Sequence, residues 1–206
     1  MDQIVALVFN LAILIVSVMV HEVAHGLAAN SLGDTTAKDM GRLSFNPLKH
    51  LDFMGSFLMP LISYSLGGFV FGWAKPVPYN PYNLKNQKTG PAVVAVAGPA
   101  SNFMIAIILG LVLRFWPSLP FSAVVAVSTI VYLNLVLGVF NLMPVPPLDG
   151  SRILAAILPY RYEIWLHKME RMGFALVLVF ILFVFPLVAP ILPKLFNLIT
   201  GFPPAF

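Results

Sequence analysis

Residues 4–25, IVALVFNLAILIVSVMVHEVAH, decide how the rest of the chain is read. Positions 4–20 are apolar apart from Asn10 and Ser17, as a membrane helix requires. His21, Glu22 and His25 stand at its end. Ionisable groups at bilayer depth cost roughly 2.5–3.5 kcal/mol each on insertion scales, which makes them functional candidates. Two histidines four apart stack on one helix face, one turn apart. That spacing lets two imidazoles hold one Zn²⁺, while Glu22 at the flank can take a proton from water. The bland alternative is a pair of core histidines with Glu22 in an ion pair, and an apolar helix penalises it.

The composition agrees. Of 206 residues, 59% are hydrophobic and 10% charged, with mean hydropathy +0.91; soluble domains carry about 25% charged residues. The expected class is an all-α multi-pass membrane protein forming a single membrane-embedded domain over 1–206, with its core at 4–158 and a C-terminal helix and tail at 159–206. The opening run has no basic n-region and no A-x-A-like site, so it is expected to remain in the mature protein. Cysteine is absent, which excludes disulfides and thiolate ligands. The net charge of +4 lies in short loops; it suits membrane orientation, not nucleic-acid binding.

About four transmembrane helices are expected. The first is 4–25, followed by a stop at Gly33-Asp34. Residues 35–45 are too polar to span and suggest a short strand or hairpin. Residues 53–71 are apolar for 19 residues but hold Pro60 and Gly67-Gly68. Residues 72–83 read as extended, because Pro76, Pro78 and Pro81 forbid continued helix. Clear spans follow at 91–115 and 121–143. The Pro-rich bend 144–150 delivers Asp149 to a short helix, 151–158. Residues 172–200 give one more span and an irregular tail.

A parity argument sets the topology. His21 and His25 close the first span, and Asp149 follows the third. They meet only if an even number of crossings separates them, so 53–71 is expected to re-enter or lie in the membrane without crossing. Of the 12 Lys and Arg, only Arg114 and Lys194 then fall away from the site. By the positive-inside rule the site faces the cytoplasm, in the cell (inner) membrane.

A zinc hydrolase site has three protein ligands and a water. Among the other acids, Asp34, Asp39 and Asp52 read as turn or cap residues, and Glu163 and Glu170 as a solvated face. Asp149 follows a rigid bend and precedes Gly150, where the backbone can turn. Local sequence leaves metal binding and helix capping both open for it. Asn102 is either an amide donor for a substrate oxyanion or a helix–helix hydrogen bond. Asn141 is expected to hold the Pro-rich loop, Asn134 to pack, and His50 and His167 to lie at the surface.

HEVAHG at 21–26, AGPASN at 97–102 and NLMPVPPLDG at 141–150 together resemble the site-2 protease family of intramembrane zinc metalloproteases. FNP at 45–47 and GWAKPVPYNP at 72–81 are similar to its small bacterial members without a PDZ domain. The resemblance covers the chain to about residue 158. It implies zinc ligation, one ion per chain, by His21, His25 and Asp149, with Glu22 as general base. It also implies that Asn102 helps hold the substrate carbonyl or oxyanion. The implied function is hydrolysis of peptide bonds within or near transmembrane segments, with a membrane-protein substrate and the bilayer as partners. Extended segments at 35–45 and 72–80 could pair with an unwound substrate. A non-catalytic metal-binding protein that captures membrane segments is the alternative, and Glu22 argues against it. A transporter usually shows repeated halves or several intramembrane acids, and neither is found.

Overall fold

The structure, a computed structural model, describes residues 3–67, 72, 74–159, 168–169 and 174–204. Helix α1 runs from Gln3 to Ser31, 29 residues, about 44 Å at 1.5 Å per residue. The two histidines therefore lie about two-thirds of the way along it and beyond, not at its terminus. It stops in a Schellman turn. Gly33 takes φ 108°, its N–H donates to Asn30 O at 3.2 Å, and the Asp34 N–H reaches back to Ala29 O at 3.0 Å. A glycine suits this position because a Cβ opposes positive φ.

The polar stretch after α1 corrects one expectation. Residues 35–45 form no strand; Thr36–Asp39 is one helical turn, α2. Asp34 starts it by accepting from the Thr36 N–H at 3.2 Å. Among the described residues no strand occurs at all. Residues 74–80 are a non-helical strap held mainly by side chains. Arg42 donates to Lys49 O, to Lys75 O at 2.9 Å and to Pro76 O at 3.2 Å. His50 is another correction: it is 1% exposed, with Nε2 2.8 Å from Ser44 O. The rest of this loop stays largely exposed, with Phe45 and Leu48 at the surface.

Residues 54–67 are helical, a π-helical turn Met54–Leu58 followed by α3, Met59–Gly67. Residues 68–71 lie outside the described residues. By Gly72 the chain has returned beside Gly55 O and the Pro60 ring. The Lys75 N–H then donates to His50 O at 2.8 Å. Gly72 and Gly55 are thus close neighbours at the two ends of this segment.

Helices α4 (Gly90–Phe115) and α5 (Phe121–Asn141) are the next candidate spans, within two residues of the expected bounds. Helix α6, Asp149–Ile157, follows the Pro-rich bend. Leu176–Val188 and Ile191–Thr200 form a pair bent by 55°, with Pro190 at the break. Among the described residues, three helices are long and apolar enough to cross a membrane, or four if the bent pair is one span. The chain is an all-α multi-pass membrane protein.

Helix α4 sits centrally. Its Ala106 and Leu113 pack with Val131, Leu135 and Val139 of α5 and with Leu192 and Phe196. Lipid tails are as apolar as leucine, so close packing and buried hydrogen bonds must hold such helices together. Gly138 gives the close approach: a Cβ there would lie 2.9 Å from the Phe103 ring. The polar groups are inside, with Ser17, Asn102 and Asn134 buried, while Val8, Val16, Met104 and Ile108 are exposed. Glu163, Glu170 and His167 lie outside the described residues.

Candidate metal centre

Helix α1 supplies His21 and His25, and their four-residue spacing brings the rings edge to face with centroids 4.6 Å apart. Asp149 arrives from the first turn of α6. Gly150 makes this approach possible, since a Cβ there would run into Leu142 O and Met143 O. Capping does not explain Asp149: Leu148 is the N-cap position of α6 and no side chain caps the helix. Instead, Asp149 Oδ2 lies 3.1 Å from His21 Nε2 and 3.3 Å from His25 Nε2. The two Nε2 atoms are 3.0 Å apart.

This donor set fits a zinc ion. Two imidazoles and one carboxylate leave a fourth tetrahedral position open. Zinc bonds of about 2.0–2.2 Å would set neighbouring donors about 3.3–3.6 Å apart; the donors here, at 3.0, 3.1 and 3.3 Å, lie at or a few tenths of an ångström below the short end of that range. Asp149 Oδ2 is buried with no hydrogen-bond partner of its own, a costly state for a carboxylate oxygen unless a cation meets it. Gly98 of α4 forms the wall. A Cβ there would lie 2.5 Å from His21 Nε2 and 2.5 Å from His25 Nε2.

The far side of each ring is also held. His25 Nδ1 donates to Val94 O at 2.7 Å. A main-chain carbonyl only accepts, so Nδ1 carries the proton and Nε2 presents its lone pair. Pro99 supplies no N–H to Ala95 O, and Val94 O lies in that same turn of α4. His21 Nδ1 is 2.6 Å from Asn102 Oδ1. Asn102 is fully buried, and its Nδ2 donates to Asn134 Oδ1 at 2.9 Å. The amide expected to face a substrate oxygen is thus placed behind His21. Asn134, expected only to pack, is part of the same chain of hydrogen bonds. Asn141 donates to Leu137 O at 3.0 Å within its own helix.

Glu22 is off this face and half-buried. Its Oε2 accepts from the Val77 N–H at 2.8 Å, so the strap 74–80 fixes one carboxylate oxygen. The sequence did not single out Val77. Its signal was indirect, a valine between two prolines that have no N–H to offer.

Residues 9–125 and 118–185 match the model of peptidase family M50. The chain belongs to peptidase family M50. It is 38% identical over 192 residues to YwhC of Bacillus subtilis, covering 89% of this chain and 84% of that protein. It is 32% identical over 171 residues to Rip2 of Mycolicibacterium smegmatis, covering 82% of this chain and 64% of that one. Both are named for an inferred zinc metalloprotease activity. Zinc metalloprotease MJ0392 of Methanocaldococcus jannaschii is 41% identical over 78 residues, 38% of this chain and 23% of that protein. No solved structure matches significantly. M50 membership, the apolar helices and the His–His–Asp group describe a membrane metallopeptidase whose donor set is that of zinc.

Proposed function

We propose that this M50 member hydrolyses peptide bonds within or near transmembrane segments of membrane proteins. The observation that carries the reading is the convergence of His21, His25 and Asp149, whose donor atoms lie within 4.8 Å of one another at a membrane helix, with Glu22 alongside. In this reading one protease domain spans the chain, and its site opens towards the cytoplasm in the cell membrane. The orientation rests on basic loops at the site's end, among them Lys38, Arg42, Lys75 and Arg152, with Arg114 and Lys194 opposite.

His21, His25 and Asp149 hold the zinc. When bound, zinc supplies Lewis acidity and lowers the pKa of water towards about 7. Glu22 is the general base: Oε2 is held by the Val77 N–H, which leaves Oε1 to take the proton of the attacking water and return it to the leaving amine. Asn102 acts on His21 in this structure. Its amide N–H groups are directed to Asn134 and Ser17, so we assign it to positioning in place of the oxyanion donor expected from the sequence.

The test is Glu22→Gln in purified protein, with zinc content and cleavage of a transmembrane-segment peptide measured together. Zinc should stay at one ion per chain while cleavage is lost. Cleavage at the wild-type rate would refute the protease mechanism and favour a metal-binding protein that captures membrane segments.

A further inference from the structure

We infer that Asn134, with Ser17 beside it, sets which nitrogen of His21 faces the metal, acting through Asn102. The inference rests on the reading of His21 as a zinc ligand. It starts at Ile130 O, a main-chain carbonyl that can only accept. Asn134 Nδ2 donates to Ile130 O at 2.9 Å and to Ser17 Oγ at 3.0 Å. Both hydrogens of that amide point one way, so Asn134 Oδ1 must face Asn102. An oxygen there accepts, and Asn102 turns its Nδ2 to it at 2.9 Å. Asn102 Nδ2 also lies 3.5 Å from Ser17 O, another acceptor on the same side. Asn102 Oδ1 is then left to face His21 Nδ1 at 2.6 Å. That oxygen accepts only, so the proton resides on Nδ1 and the Nε2 lone pair is free for a metal.

The two histidines are thus oriented by different means. His25 reads a main-chain carbonyl directly, Val94 O. Among the described residues His21 Nδ1 meets a side-chain amide in place of a main-chain carbonyl, and it receives the same instruction through Asn102 and Asn134. An isolated amide can turn over by 180° and exchange its donor and acceptor ends. Asn102 alone would therefore leave the His21 tautomer undecided. All three residues, Ser17, Asn102 and Asn134, are at most 3% exposed, so water does not compete for these bonds. They come from α1, α4 and α5, and the chain of bonds closes on α1, which carries His21.

A packing role for Asn134 and a positioning role give opposite expectations. Asn134→Leu keeps the volume and removes the acceptor. Asn134→Asp, protonated in this buried site, keeps an acceptor for Asn102 and a donor for Ile130 O. The experiment measures zinc affinity by chelator competition in detergent, with the d–d spectrum of the cobalt-loaded protein as a second readout. Positioning gives a roughly 10–100-fold loss of affinity for Asn134→Leu, the range for outer-shell partners of metal ligands. It gives a loss of a few-fold at most for Asn134→Asp and an altered cobalt spectrum for Asn134→Leu alone. In the double variant with Asn102→Leu, the loss should not exceed that of Asn102→Leu by itself. Retention of wild-type affinity by Asn134→Leu, an equal loss in Asn134→Asp, or additive losses in the double variant would overturn it. If Asn134→Leu does not fold, the Asn134→Asp affinity still decides. His21→Ala separates the two levels. Zinc retained at wild-type affinity there removes the ligand reading itself, whereas zinc lost there but kept in Asn134→Leu removes this inference alone.

Discussion

The Val77 N–H donates to Glu22 Oε2 at 2.8 Å, joining a strap and a helix that are 55 residues apart in sequence. A hydrogen bond to a charged group contributes about 1.5–3 kcal/mol. Val77→Pro removes the donor and should lower kcat by about 10–100-fold, with zinc content unchanged. Val77→Ala keeps the N–H and loses only apolar contact, so it should retain most of the rate. Cleavage assays on the two variants, each with its metal content, separate orientation of the base from packing of the strap.

Gly98→Ala places a methyl group 2.5 Å from Nε2 of both histidines. Alanine is favoured over glycine inside a helix by about 1 kcal/mol, so α4 itself should not suffer. The rings must move, and bound zinc should fall well below one ion per chain. Elemental analysis of the purified variant, beside its melting temperature without metal, shows whether the loss is confined to the site.

Asp149→Asn keeps the shape of the side chain and removes its charge. The buried histidines then lose their anionic partner, and a zinc ion loses a ligand. Zinc affinity should fall by more than the roughly 10–100-fold that an outer-shell partner costs. Chelator titration checks this. The fold should persist, since α6 uses no side-chain cap.

Asp34 ties α1, α2 and the strap together. It accepts from Thr36 Oγ1, from Thr36 N, from Asn80 N at 2.7 Å and from Asn83 Nδ2 at 2.9 Å. Desolvation by burial raises its pKa, but those hydrogen bonds outweigh it and hold the carboxyl below its usual 3.8. The carboxylate form therefore stabilises the fold above that value, and its contribution is lost as pH falls through the lower, folded-state pKa. Asp34→Asn should lower the melting temperature by about 2–4 °C near neutrality. The gap to wild type should close on acidification below pH 3.8. A gap independent of pH would show that the effect is not ionic.

The convergence of the three candidate metal residues was legible because each violates its surroundings: two histidines in an apolar run, and an aspartate behind a proline bend. The spans were legible from length and hydropathy. Asn102 and Asn134 were harder. Either amide could serve substrate or a neighbouring helix, and the choice depends on which helix face meets which, a tertiary matter. The Thr, Leu and Phe content of 35–45 suggests a strand or hairpin, yet Asp34 accepts from the Thr36 N–H and hydroxyl and so favours a turn that starts a helix. His50 was read as surface from polar neighbours, whereas the return of the chain at Gly72–Lys75 covers it. Long-range contacts of this kind leave no local pattern.

Helix α4 meets the site at Val94, Gly98 and Asn102, one residue per turn along one stripe. These positions grip His25, wall the centre and grip His21 in that order. A slide of α4 along α1 by a single residue would release both histidines at once. A zinc ion held by His21, His25 and Asp149 would join α1 to α6, while α4 keeps both imidazoles in register from behind, so the seating of α4 on α1 and the hold on zinc rise and fall together.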